Sequence, residues 1–163
     1  MPLVRPCTKT RDDFSFSPPM QQIDFHFNVA NRSLYACRLL KKVTGMGLKA
    51  TVWSTNQAFL SRVYDDLWRF EDLTFIPHAW AGSMWEAEAA VVFADHIEDL
   101  PTRDVIVLLD EDVPHDWEQQ LARFERVIDI VSTNPEELQH SRQRYRIYHA
   151  AGITLKAYDR SKG

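Results

Sequence analysis

The chain has 163 residues, 45% of them hydrophobic and 26% charged, which is the size and composition of one globular domain. Folding at this length removes roughly 68–70% of the unfolded surface from water, so a core needs no disulfide or metal, and disordered, collagen-like and coiled-coil classes are excluded. The net charge of −4 also argues against a duplex-binding protein, which is ordinarily basic overall.

That charge is unevenly spread. Residues 1–50 carry eight basic and three acidic side chains, 51–94 two and six, 95–125 two and ten, and 134–163 six and three. An acidic middle and a basic end predict two electrostatically different faces. Cys7 and Cys37 lie far apart without metal-ligand spacing, and are expected to be reduced thiols in a cytoplasmic protein. Residues 1–20 mix charges with Pro18 and Pro19 and hold no apolar run. They are expected to form a flexible leader ahead of one domain, 21–163.

Ile23-Asp24-Phe25-His26-Phe27 alternates as a half-buried strand does. Asn31 or Ser33 can cap a helix through Leu34, Cys37, Leu40 and Val43, ended by Gly45 and Gly47. A strand over 48–53 follows, then a helix from Ser54 or Thr55 to Trp68. This strand–helix–strand–helix opening predicts a parallel α/β sheet. Phe75-Ile76-Pro77 is a short apolar stretch stopped by proline, and 89–94 reads as a strand. Val105 to Leu109 is a buried strand closed by Asp110-Glu111-Asp112. Pro114 and Asp116 lead into a helix bearing Trp117, Leu121 and Phe124, and Val127 to Val131 is the next strand. Asn134-Pro135-Glu136-Glu137 then starts a helix running to about Ala151, with Gly152 just beyond it. The predicted architecture is a three-layer α/β/α domain with a mostly parallel, Rossmann-like sheet.

Little here points to catalysis. The apolar strand ending in acids looks like the metal-holding half of an NTPase, but Thr44-Gly45-Met46-Gly47-Leu48-Lys49 lacks the phosphate-loop spacing and follows a helix. The acids are therefore expected to form a solvated loop. The six histidines make no HxxxH or HExxH pair, and no GxSxG is present. No catalytic, metal or cofactor residue is assigned. Trp68, Phe70, Phe75, Trp80 and Trp85 crowd one segment; either they pack under a long loop or some form an apolar patch for a partner. On the last helix, Arg142, Tyr145 and His149 fall within about 40° of Leu138, with Arg146 at the margin. Such a stripe can receive a peptide carboxylate beside an apolar side chain, or it can be the solvated face of an amphipathic helix.

Gln-Arg-Tyr-Arg-Ile-Tyr-His-Ala-Ala-Gly at 143–152 resembles the closing R-x-R-Y-[KR]-x-Y-x-x-A-G segment of the chi subunit of bacterial DNA polymerase III. Asp66-Leu67-Trp68, Phe75-Ile76-Pro77-His78 and Ala81-Gly82 resemble that family's central segment, Arg126-Val127-Ile128-Asp129 its penultimate strand, and Ile23 to Phe27 its start. The resemblance spans most of residues 22–155. It implies a non-catalytic adaptor joining the psi subunit of the clamp loader to the C-terminal tail of single-stranded DNA-binding protein, meeting nucleic acid only indirectly and without a cofactor. By position it assigns the tail site to Val131, Arg142, Tyr145 and Arg146. Trp68 and Phe75 match the aromatic contact with psi or with a repair helicase. Leu138 stands where some relatives carry a lysine, which weakens the electrostatic part of the tail contact. Two other classes remain at this point: a nucleotide-binding enzyme, which nucleotide would stabilise against heat, and a single-strand binder using Arg142, Arg144 and Arg146 with stacking tyrosines.

Overall fold

A computed structural model of the chain describes residues 22–69, 71 and 75–161; the leader expected at 1–20 lies outside the described residues. Strand β1 (Gln22–Val29) leads into helix α1 (Arg32–Gly45), whose cap Asn31 accepts the Leu34 backbone N–H at 3.1 Å. Strand β2 (Ala50–Trp53) and helix α2 (Gln57–Arg69) follow, then β3 (His78–Trp80), β4 (Val91–Ala94) and β5 (Val105–Leu108). The short helix α3 (Trp117–Leu121), β6 (Arg126–Ser132), helix α4 (Pro135–Ala150) and β7 (Thr154–Asp159) complete the chain. The C-terminal ends of α1 and α4 close at glycines, as predicted; after α1, Gly47 takes a φ of 81° and Leu48 N–H returns to the Val43 carbonyl at 3.3 Å. Gly152 takes a φ of 83°, Ile153 N–H returns to the Tyr148 carbonyl at 3.1 Å and Gly152 N–H to His149 at 3.0 Å, the paired bonds that a left-handed residue after the helix permits.

The seven strands form one sheet in the order β3-β4-β2-β5-β6-β1-β7, and every neighbouring pair is parallel. Parallel strands must be joined by crossovers that bury both faces. Accordingly β5 is buried along its whole length, with Val105 and Val107 packing towards α1 and α2, and Ile106 and Leu108 towards α3 and α4. Each such aliphatic side chain contributes roughly 1.5–3 kcal/mol on burial. The sequence reading missed two edge strands. β3 has only three residues, set as a strand by pairing with β4, and β7 is largely exposed, so its alternation carries little apolar signal.

Cys37 is buried in α1, and burial followed by the Asp66 charge pushes its thiol up to about 12, so it stays protonated at neutral pH. His26 of β1 faces the α1 side, its Nδ1 paired with the Tyr35 hydroxyl. Burial and then the Arg160 charge push its imidazole down to about 4 from an ordinary 6.5. The unfolded chain takes up this proton as pH falls below about 6.5, and the folded chain does so only near 4. Stability contributed by the neutral ring is therefore present above the unfolded value and lost as pH falls through that window. The urea midpoint of the wild type is expected to fall more steeply between these pH values than that of His26→Gln; equal slopes would assign the acid sensitivity to other groups.

Candidate protein-binding faces

Helix α4 divides its basic and aromatic side chains between two sides. Ser141, Arg144 and Tyr148, at i, i+3 and i+7, are buried, as the helical period requires of an inward stripe. Arg144 closes on Asp129 of β6 with two parallel bonds, Nε to Oδ2 at 2.9 Å and Nη2 to Oδ1 at 2.8 Å, and its Nη1 donates to the Glu111 carbonyl at 2.7 Å. Tyr148 lies edge-on to Trp117 and Phe25, with ring centroids 5.0 and 6.1 Å away. Burial, then the Asp129 charge, raises its phenol well above the ordinary tyrosine range. At the start of the helix Asn134 accepts the Glu136 N–H at 2.8 Å, and Glu137 pairs with Arg32 at 2.9 Å.

The outward side carries Arg142, Tyr145 and Arg146, all exposed. Neither arginine is paired with an acid among the described residues. Tyr145 is fixed rather than loose: its ring meets Phe25 edge-on at 5.7 Å and stacks on His149 at 6.1 Å with planes 12° apart. Leu138, one turn before Arg142, is half-buried against the core. Of the four residues expected at the tail site, the helix thus brings three together. Val131 lies beneath on β6 and is 3% exposed, so it can only floor the site, near Arg144 and Ile130. The arrangement offers two unpaired guanidinium groups beside a held aromatic face and an aliphatic step. That chemistry suits a carboxylate with an adjoining apolar side chain. The sequence reading did not single out Arg144 as the inward arginine, although an acid at Asp129 inside the apolar run 127–131 signals a buried cation partner.

The second face lies on the other side of the sheet, at the end of α2. Trp68 is 42% and Phe75 69% exposed, with ring centroids 5.4 Å apart. Trp68 rests on the His78 ring at 3.9 Å, and that ring is fixed between the carbonyls of Ile76 and Tyr64 at 2.7 and 2.8 Å. Both readings of the aromatic segment therefore hold in part. Trp80 packs inward, stacked on Tyr64 at 4.7 Å, while Trp68, Phe75 and Trp85 stand in solvent. Phe70 lies outside the described residues.

Ligand crevices in parallel sheets form where neighbouring strands lead to opposite sides. One such point lies between β1, which continues to β2, and β6, which continues to β7; another, at Asp110, lies between β2, which continues to β3, and β5, which continues to β6. The Asp110 carboxylate fills it, accepting from the Thr55 backbone N–H at 2.8 Å, the Thr55 hydroxyl at 2.6 Å and the Ser54 hydroxyl at 3.2 Å. The solvated acidic loop expected here is corrected in part: Glu111 and Asp112 are exposed, but Asp110 is 7% exposed and bonded into the start of α2. The chain's own carboxylate thus holds the place where a nucleotide phosphate meets a helix N-terminus. The single-strand reading of α4 also loses Arg144 and Tyr148, both buried.

The family model described as DNA polymerase III chi subunit, HolC, matches residues 20–156. The chain belongs to the DNA polymerase III chi subunit family. A chi subunit from Pseudomonas aeruginosa is 28% identical over 141 residues, covering 84% of this chain and 95% of that relative. Membership in the chi family gives the chain an accessory role in replication by DNA polymerase III. Two solved structures share the fold. S. cerevisiae Dbp5 in complex with Nup159 aligns with a TM-score of 0.60 at 9% identity, covering 96% of this chain and 44% of that one, so the chi-family chain spans less than half of that protein. The C-terminal domain of the DEAD-box protein Dbp5 aligns with a TM-score of 0.54 at 10% identity, covering 86% of this chain and 91% of that domain. At such identities the likeness is one of fold alone. No helix among the described residues is long and apolar enough to cross a membrane.

Proposed function

We propose that this chi-family chain is a non-catalytic adaptor that holds the C-terminal tail of single-stranded DNA-binding protein on α4 and the psi subunit, or a repair helicase, on the Trp68–Phe75 face. One observation carries the reading: the exposed Arg142–Tyr145–Arg146 stripe is on α4, the exposed Trp68 is on α2 with the Phe75 ring beside it, and these two helices pack against opposite faces of the sheet. Two partners can then be held at once without competing for surface. The tail is expected to end in acidic residues and a phenylalanine with a free carboxylate. Arg142 or Arg146 would take that carboxylate, Tyr145 would wall the ring, and Leu138 with Val131 below would supply the apolar ground. Leu138 makes this contact less dependent on charge than a lysine would. Work in the cytoplasm fits both partners.

The aromatic face supplies a test of the second half. Two large rings partly exposed in contact have the character of an interface anchor. Trp68→Ala or Phe75→Ala is expected to weaken capture of psi or the helicase by about 2 kcal/mol or more, roughly 30-fold. Melting temperature should change little for Phe75→Ala, and tail-peptide affinity should not change for either. Unaltered capture of psi and helicase by both variants would remove this face from the proposal.

A further inference from the structure

The charge pattern of the sequence has a spatial outcome that neither partner site uses. Because β1 and β7 are parallel neighbours, from Gln22 opposite Thr154 to Phe27 opposite Asp159, the basic first and last segments meet at one end of the sheet. Helix α1 leaves β1 to reach β2 and packs over β6 and β2. Among the described residues no helix covers the α1 side of β1 and β7, and a groove of about 400 Å³ runs there beside α1.

Its walls are cationic. Arg38 and Lys42 line it from α1, Arg126 from β6 and Arg160 from the end of β7, against a single acid, Asp24, among the described residues. Lining positions on α1 extend from Tyr35 to Met46, roughly 16 Å of helix. Arg38 and Lys42 are one turn apart, whereas Arg126 lies two residues before Ile128, the partner of Asp24, and Arg160 follows Asp159, the partner of Phe27, so the cations are spread along the strands as well as along α1. Between them are three rings: His26 meets Tyr35 at 5.7 Å and Tyr158 at 5.2 Å. Arg160 lies over Tyr158 at 5.5 Å, and its buried Nε–H has no acceptor among the described residues.

We propose that this groove takes a short run of single-stranded nucleic acid. Phosphates lie along Lys42, Arg126, Arg38 and Arg160, and a base stacks on Tyr158. A row of cations suits a repeating anion better than a lone carboxylate, and rings between the cations suit bases, each of which has a stacking face. An acidic peptide without aromatic side chains would use the cations and leave the rings idle. The groove lies across the sheet from α4, so the inference does not rest on the tail site.

The test is fluorescence anisotropy of a short labelled oligo(dT) with the full chain, from low salt up to about 200 mM. The wild type should bind, and its affinity should fall steeply with salt. Lys42 and Arg126 are both exposed, so Lys42→Glu with Arg126→Glu should keep the fold, checked by circular dichroism. This double variant should bind at least about tenfold more weakly, with a salt slope lower by about 2. Tyr158→Ala should also weaken binding, and Arg142→Ala with Arg146→Ala should leave it unchanged. Absence of binding at low salt would overturn the proposal. So would equal loss in the Arg142/Arg146 variant, or competition by a polyglutamate peptide or a mononucleotide as effective as that of the oligonucleotide.

Discussion

Asp129→Ala is expected to lower folding stability by about 3–5 kcal/mol, read from the urea midpoint, because it leaves the Arg144 guanidinium buried without its anion. The side chains of Asp129 and Arg144 are 1% and 6% exposed and joined by two bonds of 2.8 and 2.9 Å. Small domains are stable by about 5–15 kcal/mol in all, so this loss approaches unfolding. Removing both charges together, as Asp129→Leu with Arg144→Met, should recover much of it, since well-packed apolar replacements avoid the desolvation of the pair. Two positions away, Arg142→Ala should change stability by no more than about 0.5 kcal/mol, as exposed sites do. Equal costs at Arg142 and Arg144 would contradict the division of α4 into an inner and an outer side.

Arg142→Ala should act on binding instead. A hydrogen bond to a charged group contributes about 1.5–3 kcal/mol, so its loss should lower affinity for the tail peptide about 10- to 150-fold. Trp68-face capture should be untouched. Raising salt should also weaken the tail complex, because the exposed arginines are screened. Calorimetry with peptides carrying and lacking the terminal phenylalanine separates the ionic from the apolar share. Equal affinity for wild type and Arg142→Ala would reduce the outer face of α4 to a solvated helix surface.

Much of this molecule is legible in its sequence where local chemistry decides the outcome. The five apolar residues ending at Leu109 require a strand buried on both faces, and Asn134, Pro135 and Gly152 fix the ends of α4 by caps that work within a few residues. Features set by distant partners are harder to read. Among Arg142, Arg144 and Arg146 the helical period alone does not say which faces inward until Asp129 is placed beneath α4. Asp110 reads as the first residue of a solvated acidic loop, and becomes buried only because Ser54 and Thr55 arrive beside it from β2. β7 shows little because an edge strand needs few apolar residues. The basic groove depends on the meeting of β1 and β7, 131 positions apart at Asn28 and Asp159, and on the path α1 takes away from them. Trp68 and Phe75 stand out in the sequence through the excess of aromatics in their segment, and the structure leaves both partly exposed.

Simultaneous binding of two proteins on opposite faces of one small domain is what the proposed function requires. It is tested most directly by surface plasmon resonance with the tail peptide of single-stranded DNA-binding protein immobilised, the chain bound to it, and psi then passed over the surface. A further rise in mass is expected when psi arrives, absent without the chain and lost with Trp68→Ala and Phe75→Ala together. Release of the chain by psi would show that the two partners share one site, and would contradict it.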